Sequence, residues 1–113
     1  MKEQIPYDIF DKVDIRIGTV LSVKKNIKAR KPSLIIEVDF GEEIGIKKSS
    51  AQLTKNYKSN DLIKRQVAAV VNFETKQIGN LISEVLVLGF PDDHNEPILV
   101  EPNKSVPNGG KLY

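Results

Sequence analysis

Five cations, Lys24, Lys25, Lys28, Arg30 and Lys31, fall within eight residues. Side chains of this type at this density suit phosphate groups, because each cation that neutralises a phosphate releases condensed counterions. Lys47 and Lys48 then precede Ser49-Ser50-Ala51-Gln52, in which Ser49 and Gln52 have the spacing of a helix capping box. The free backbone N–H groups at such a start also favour an anion. Lys55, Lys58, Lys64 and Arg65 extend the same run of positive charge.

Groups able to carry out turnover are scarce by comparison. The chain has no cysteine, which excludes disulfides, thiolate metal sites and cysteine nucleophiles, and its one histidine, His94, sits in the polar stretch Asp92-Asp93-His94-Asn95-Glu96. A structural metal site needs more histidine or cysteine ligands than one. Neither a phosphate-cradling lysine loop nor a dinucleotide-binding glycine pattern occurs. Ser49 and Ser50 have no neighbouring histidine to activate them, so capping is their expected role. The expectation is a binding protein with no catalytic residue, metal or cofactor.

The net charge of +2 conceals an asymmetry: residues 24–65 carry +6 and the remainder −4. That imbalance suits a face meeting a polyanion, although a solvated lysine-rich surface has the same composition. Aromatic residues narrow the choice. With three Tyr, four Phe and no Trp, the chain is poor in the stacking platforms that generic single-strand binders use. Phe10, Phe40, Phe73 and Phe90 lie beside apolar periodic positions and are expected in the core or at a subunit contact. Tyr57 is the aromatic nearest the basic stripe. A folded RNA recognised through shape and phosphate fits this composition better.

The elements that must position these residues are mostly strands. Val13, Ile15, Ile17, Thr19, Leu21 and Val23 alternate with mainly polar residues, as do Leu34, Ile36, Val38 and Phe40; period two is the mark of a half-buried strand. Gly18 marks a sharp bend or bulge in the first strand. Ile44 and Ile46 follow Gly41-Glu42-Glu43 as the return strand of a hairpin. A short helix is expected from Ser49 to about Tyr57, with turn chemistry at Ser59-Asn60-Asp61. Strands are expected over Val67 to Phe73, over Ile78 to Phe90 with a break at Gly79-Asn80, and over Ile98 to Val100. The segment Pro102 to Gly110 reads as ordered coil.

Five principal strands with a helix between the third and fourth define an all-β, five-stranded OB-fold barrel, here with ordered terminal extensions. At 113 residues a single domain spanning 1–113 is expected. No apolar run approaches the length of a membrane span and no secretory signal precedes the domain, so a cytoplasmic location is expected. In OB barrels the loop between strands one and two forms a wall of the ligand groove, and the five clustered cations fall there. Ile35, Ile82 and Leu99 are apolar residues out of phase with their strands and are nominated as peptide-groove or subunit-interface residues.

Several segments carry a resemblance. Phe10-Asp11-Lys12-Val13-Asp14-Ile15-Arg16-Ile17-Gly18, Ala29-Arg30-Lys31-Pro32, Glu43 through Lys55, Ala69-Val70-Val71-Asn72-Phe73, Ser83 through Gly89 and Val106-Pro107-Asn108-Gly109 closely resemble the CsaA family, within the wider family of tRNA-binding domains. The resemblance implies an OB-fold homodimer whose terminal extensions help build the subunit interface. It also implies a function, that of an export-related secretion chaperone binding precursor or unfolded polypeptides, with a structure-selective binder of the outer corner of tRNA as the alternative. Lys31 falls at the position of a family lysine linked to RNA binding, although Lys28-Ala29-Arg30 replaces the usual Asn-Ala-Asp. Ser83 matches the serine of a family Ser-x-Gly-Met whose Gly-Met is absent here. Lys48-Ser49-Ser50 replaces Val-Ser-Gly.

Overall fold

The computed structural model describes residues 1–26, 31 and 33–113. A short helix α1 (Tyr7–Asp11) leads into β1 (Ile15–Lys25), β2 (Leu34–Asp39) and β3 (Ile46–Ala51); after α2 (Ser59–Leu62) come β4 (Gln66–Val70), the arm β5 (Lys76–Ile78) and β6 (Leu81–Ser83), then β7 (Leu86–Val87), β8 (Gly89–Pro91) and β9 (Pro97–Leu99). The main sheet has the antiparallel order β3-β2-β1-β4-β7, with β5-β6 and β8-β9 as separate hairpins. Backbone bonds between β3 and the chain entering β7 draw the two ends of the sheet together: the Glu84 N–H donates to the Lys48 carbonyl at 2.8 Å. The result is the nearly closed, all-β barrel expected, with a helix between β3 and β4.

β1 is long because it serves two partners. Ile15 to Thr19 pair with β4, and Thr19 to Lys25 pair with β2, with a register shift between Val20 and Ser22. The bulge therefore lies at Leu21 and not at Gly18. Gly18 is required for another reason: a Cβ there would lie 2.5 Å from Val38 Cγ1 and 2.8 Å from Phe40 Cδ1. The bulge also exchanges faces. Gly18 and Val20 are buried and Val23 packs against the core, whereas Leu21 is exposed. Ile15 and Ile17 share the other face with their partners Val70 and Ala68. The core holds Val20, Leu34, Ile36, Val38, Phe40, Leu62 and Val67.

The expected helix from Ser49 is displaced. Ser49, Ser50 and Ala51 are the end of β3, paired with Ile36, Ile35 and Leu34. Cross-strand pairing outcompetes the local Ser-x-x-Gln cap, and the helix forms instead at Ser59–Leu62, where the Asp61 carboxylate accepts the Lys58 N–H at 3.2 Å.

The C-terminal segment docks along β1. Ile17 N–H donates to the Gly110 carbonyl (3.0 Å), and Gly109 and Leu112 N–H groups donate to Ile17 and Ile15 carbonyls (2.7 and 2.9 Å). Gly109 has φ +86°, and a Cβ there would meet the Phe40 carbonyl at 2.6 Å. Gln66 clamps the segment from β4, donating to the Val106 carbonyl at 2.6 Å and accepting the Val106 N–H at 3.0 Å. Arg16 donates to Asp14 at 2.6 Å and to the Gly109 carbonyl at 3.1 Å. The hydrogen bond that the guanidinium donates to Asp14 holds the Arg16 pKa above the ordinary value. Among the described residues no helix is long and apolar enough to cross a membrane.

Candidate nucleic-acid interface

Pairing across β1, β2 and β3 sets side chains in rows. Lys24, Ile35 and Ser50 form one row, and Ser22, Glu37 and Lys48 the next but one. Directly opposed residues on antiparallel strands share a face, and two strand spacings put the Lys24 and Ser50 backbones about 10 Å apart. Both rows point outward, since the intervening Leu34, Ile36 and Val38 are buried. Lys24, Lys25, Lys31 and Lys48 are exposed. The mouth of the loop after β1 is closed by the Asn26 N–H donating to the Ser33 carbonyl at 3.0 Å. Lys28 and Arg30 lie outside the described residues.

Beside β3 lies a groove of about 620 Å³, bounded on the other side by the β5-β6 arm; Ser50, Gln52, Phe73, Lys76, Ser83 and Leu86 are among its lining residues. The Ser83 hydroxyl sits at the seam, accepting the Ser50 N–H at 3.3 Å and donating to the Val85 carbonyl at 3.4 Å. Glu84 accepts the Lys48 N–H at 3.1 Å, and its other oxygen lies 3.8 Å from Lys47 Nζ. Part of the positive charge of Lys47 is thus already answered within the protein.

The nominated residues separate. Ser50 and Ser83 meet at the groove, Lys48 stands on the same outward side of β3 with its backbone bonded to Glu84, and Ile35 shares a row with Ser50. Ser49 does not join them: it faces the core at 2% exposure, and with no helix beginning there the expected helix-start anion site is absent. Leu99, nominated for a groove or interface, is a core residue at 9% exposure. Ile82 is exposed on the arm. Tyr57 packs on the core, accepts the Leu99 N–H at 3.0 Å and lies under Arg65 at 5.6 Å. Of the four phenylalanines only Phe40 is buried, while Phe10, Phe73 and Phe90 are exposed.

Phe73, Gln52 and Lys76 are among the groove residues that sequence reasoning missed. Only the folding back of the arm brings them to β3, and no spacing in the chain announces that. A second groove, about 550 Å³, was also not legible: Ile15, Ile17 and Ala68 face Val106, Leu112 and Tyr113 across it.

The remaining titratable cluster is a turn. Asp92 accepts N–H groups from Glu96 (3.0 Å) and His94 (2.8 Å) and the Asn56 amide (3.0 Å). Those bonds, the one from Glu96 foremost, hold its carboxyl below the ordinary 3.8. Among the described residues no group of three or more His, Cys, Asp or Glu is placed to hold a metal ion.

An outward basic face beside a polar-rimmed groove on an OB-type barrel defines a nucleic-acid-binding class of domain, and comparison with known proteins agrees. Residues 15–111 match the family model described as "Putative tRNA binding domain". The structure superposes with TM-score 0.92 on the chaperone CsaA of Bacillus anthracis, at 43% identity over 98% of this chain and 100% of that one. It superposes with TM-score 0.91 on the CsaA chaperone protein of Picrophilus torridus, at 44% identity over 97% and 100%. The methionine–tRNA ligase of Methanothrix thermoacetophila is 37% identical over 96% of this chain, which spans only 15% of that enzyme's length. The chain belongs to the tRNA-binding domain family and, within it, to the CsaA family.

Proposed function

We propose that this chain is a single-domain, non-catalytic, cytoplasmic protein that binds tRNA by shape and phosphate. The observation that carries this reading is the outward face of β1 to β3, where Lys24 and Lys48 are exposed on one side of the sheet and the groove lies along β3. Lys25 and Lys31 extend it toward the loop after β1, where the sequence adds Lys28 and Arg30.

We propose further that the protein is a homodimer. The second groove is mostly apolar, and Leu112 at 50% exposure and Tyr113 at its rim leave large side chains in water. A second copy of the same face would cover them at a gain of about 25 cal/mol per Å² buried.

That apolar face also favours a second reading, a secretion chaperone that holds precursor or unfolded polypeptides in the cleft formed between two subunits. The likeness to the two CsaA chaperones supports it.

Salt separates the two. With phosphates dominant, affinity for total tRNA falls steeply as salt rises. Lys24→Glu with Lys48→Glu should weaken binding on the order of a hundredfold and flatten the slope of log K against log salt by about two. Fluorescence anisotropy measures both. Weak tRNA binding untouched by the double variant, beside salt-tolerant binding of an unfolded precursor, would overturn the tRNA reading and support the chaperone one.

A further inference from the structure

We propose that the groove beside β3 is a nucleobase subsite, in which one unpaired base of the bound RNA stacks on Phe73 while its phosphates lie against Lys48 and Lys76. The inference rests on the RNA-binding reading above and gives that surface a local, base-contacting component that shape recognition alone does not require.

Phe73 is 55% exposed, in a groove where Leu86 is also half out of the protein. The ring is not on a loose loop. The preceding residue, Asn72, accepts the Asp14 N–H at 2.9 Å and donates to the Lys12 carbonyl at 2.7 Å, which fixes the backbone from which Phe73 projects. A pinned aromatic face left in water is a stacking platform, and a base stacked on one gains free energy whatever its sequence.

The polar groups select what enters. Glu74 and Glu84 line the groove together with Gln52 and the Ser50 and Ser83 residues. The Glu74 carboxylate repels a phosphate, and that of Glu84 is already paired with Lys47 and the Lys48 N–H, so the anionic part of a nucleotide lies outside, where Lys48 is exposed and Lys76 stands at the rim. The neutral ring enters. Carboxylates only accept hydrogen bonds, and the exocyclic amino groups of adenine, cytosine and guanine donate them, whereas uracil has none. An aliphatic peptide side chain would use Phe73 and Leu86 but make no use of Glu74 and Gln52. The size, about 620 Å³, falls within the range of sites that bury a ring system.

The test compares a blunt RNA duplex with the same duplex carrying a short single-stranded overhang of adenines or of uracils. The intact protein should prefer the adenine overhang to the blunt duplex roughly tenfold, with a smaller gain for uracil. Phe73→Ala should abolish the preference and leave blunt-duplex binding unchanged. Phe73→Leu keeps the apolar bulk but has no π face, and should behave as the alanine variant does; urea unfolding checks that both fold. Equal binding of blunt and overhanging duplexes, with tRNA binding intact, would overturn the subsite and leave the RNA reading standing. Failure to bind tRNA or either duplex would overturn both. Loss of unfolded-polypeptide binding in Phe73→Ala, restored in Phe73→Leu, would assign the groove to polypeptide and overturn the subsite.

Discussion

The two grooves are similar in volume and both have apolar walls, but they differ in the polar groups among them. The groove beside β3 adds Lys76, two hydroxyls, an amide and two carboxylates to Phe73, Ile78, Val85 and Leu86; the groove over β1 and β4 is lined mostly by aliphatic side chains and closed by the C-terminal segment. The first lies beside an outward sheet face on which Lys24 and Lys48 are exposed. The second exists because the bulge at Leu21 hands Ile15 and Ile17 to the outer side of β1. One strand thus supplies Lys24 to the polar face and two isoleucines to the apolar one, and the bulge between them allows it.

The largest effect should come from breaking the framework common to both. In Gly18→Ala, the new methyl meets Val38, Phe40 and the Asp39 carbonyl, all within 2.9 Å. Overpacking of this kind costs about 1–3 kcal/mol, to be read as a lowered urea midpoint with an unchanged m-value. A midpoint equal to that of the intact protein would mean that β1 and β2 part easily there, and that neither groove depends on their close approach.

A change confined to the apolar groove should act on assembly alone. Leu112→Asp removes an exposed apolar side chain and places a charge at its rim. Losing a buried leucine's contribution of about 1.5–3 kcal/mol should weaken dimer dissociation constants by at least tenfold in sedimentation equilibrium, with the salt slope for tRNA unchanged. If the slope changes too, the two grooves are not independent.

The smallest effect lies outside both. The Asp92 carboxyl is held below its ordinary 3.8 by hydrogen bonds it accepts only in the folded chain. A lowered folded pKa stabilises the protein above the ordinary value and is lost as pH falls through the folded one. Asp92→Asn should therefore lower the melting temperature slightly at pH 7 and make no difference near pH 2, while leaving RNA binding and assembly untouched.

Strand alternation made the barrel legible, because the period of two survives wherever one face is buried. It did not reveal which face. In β1 the odd positions look like the core set, yet Ile15, Ile17 and Leu21 turn away from it, and the single residue responsible is indistinguishable in sequence from its neighbours. Ser49 to Gln52 misled for a related reason: a polar residue every third position caps a helix in isolation, but here Ser49 pairs with Ile36 across the sheet, and tertiary pairing prevails over a local cap worth about 1 kcal/mol. The cations around the loop were legible as a candidate site because charge does not depend on register, whereas Ser50 and Ser83 were nominated through the family resemblance, and the fold brings those two together at 3.3 Å. Phe73 was not, since an aromatic beside a strand reads as core until the arm is seen to leave it uncovered. Leu99 was misjudged in the opposite sense, its burial being completed by Tyr57 from far along the chain.

The docking of residues 106–112 on β1 also bears on how the protein is made. Ile15 and Ile17 bond to residues nearly a hundred positions later, so during vectorial synthesis the first strand emerges long before its last partner. Until that segment leaves the ribosome, the opening half of β1 has an unpaired edge and a bare aliphatic face, a combination that invites pairing with other nascent chains. High contact order of this kind slows the final step of folding, and the docking of residues 106–112 on β1, rather than collapse of the core, sets when the barrel is finished.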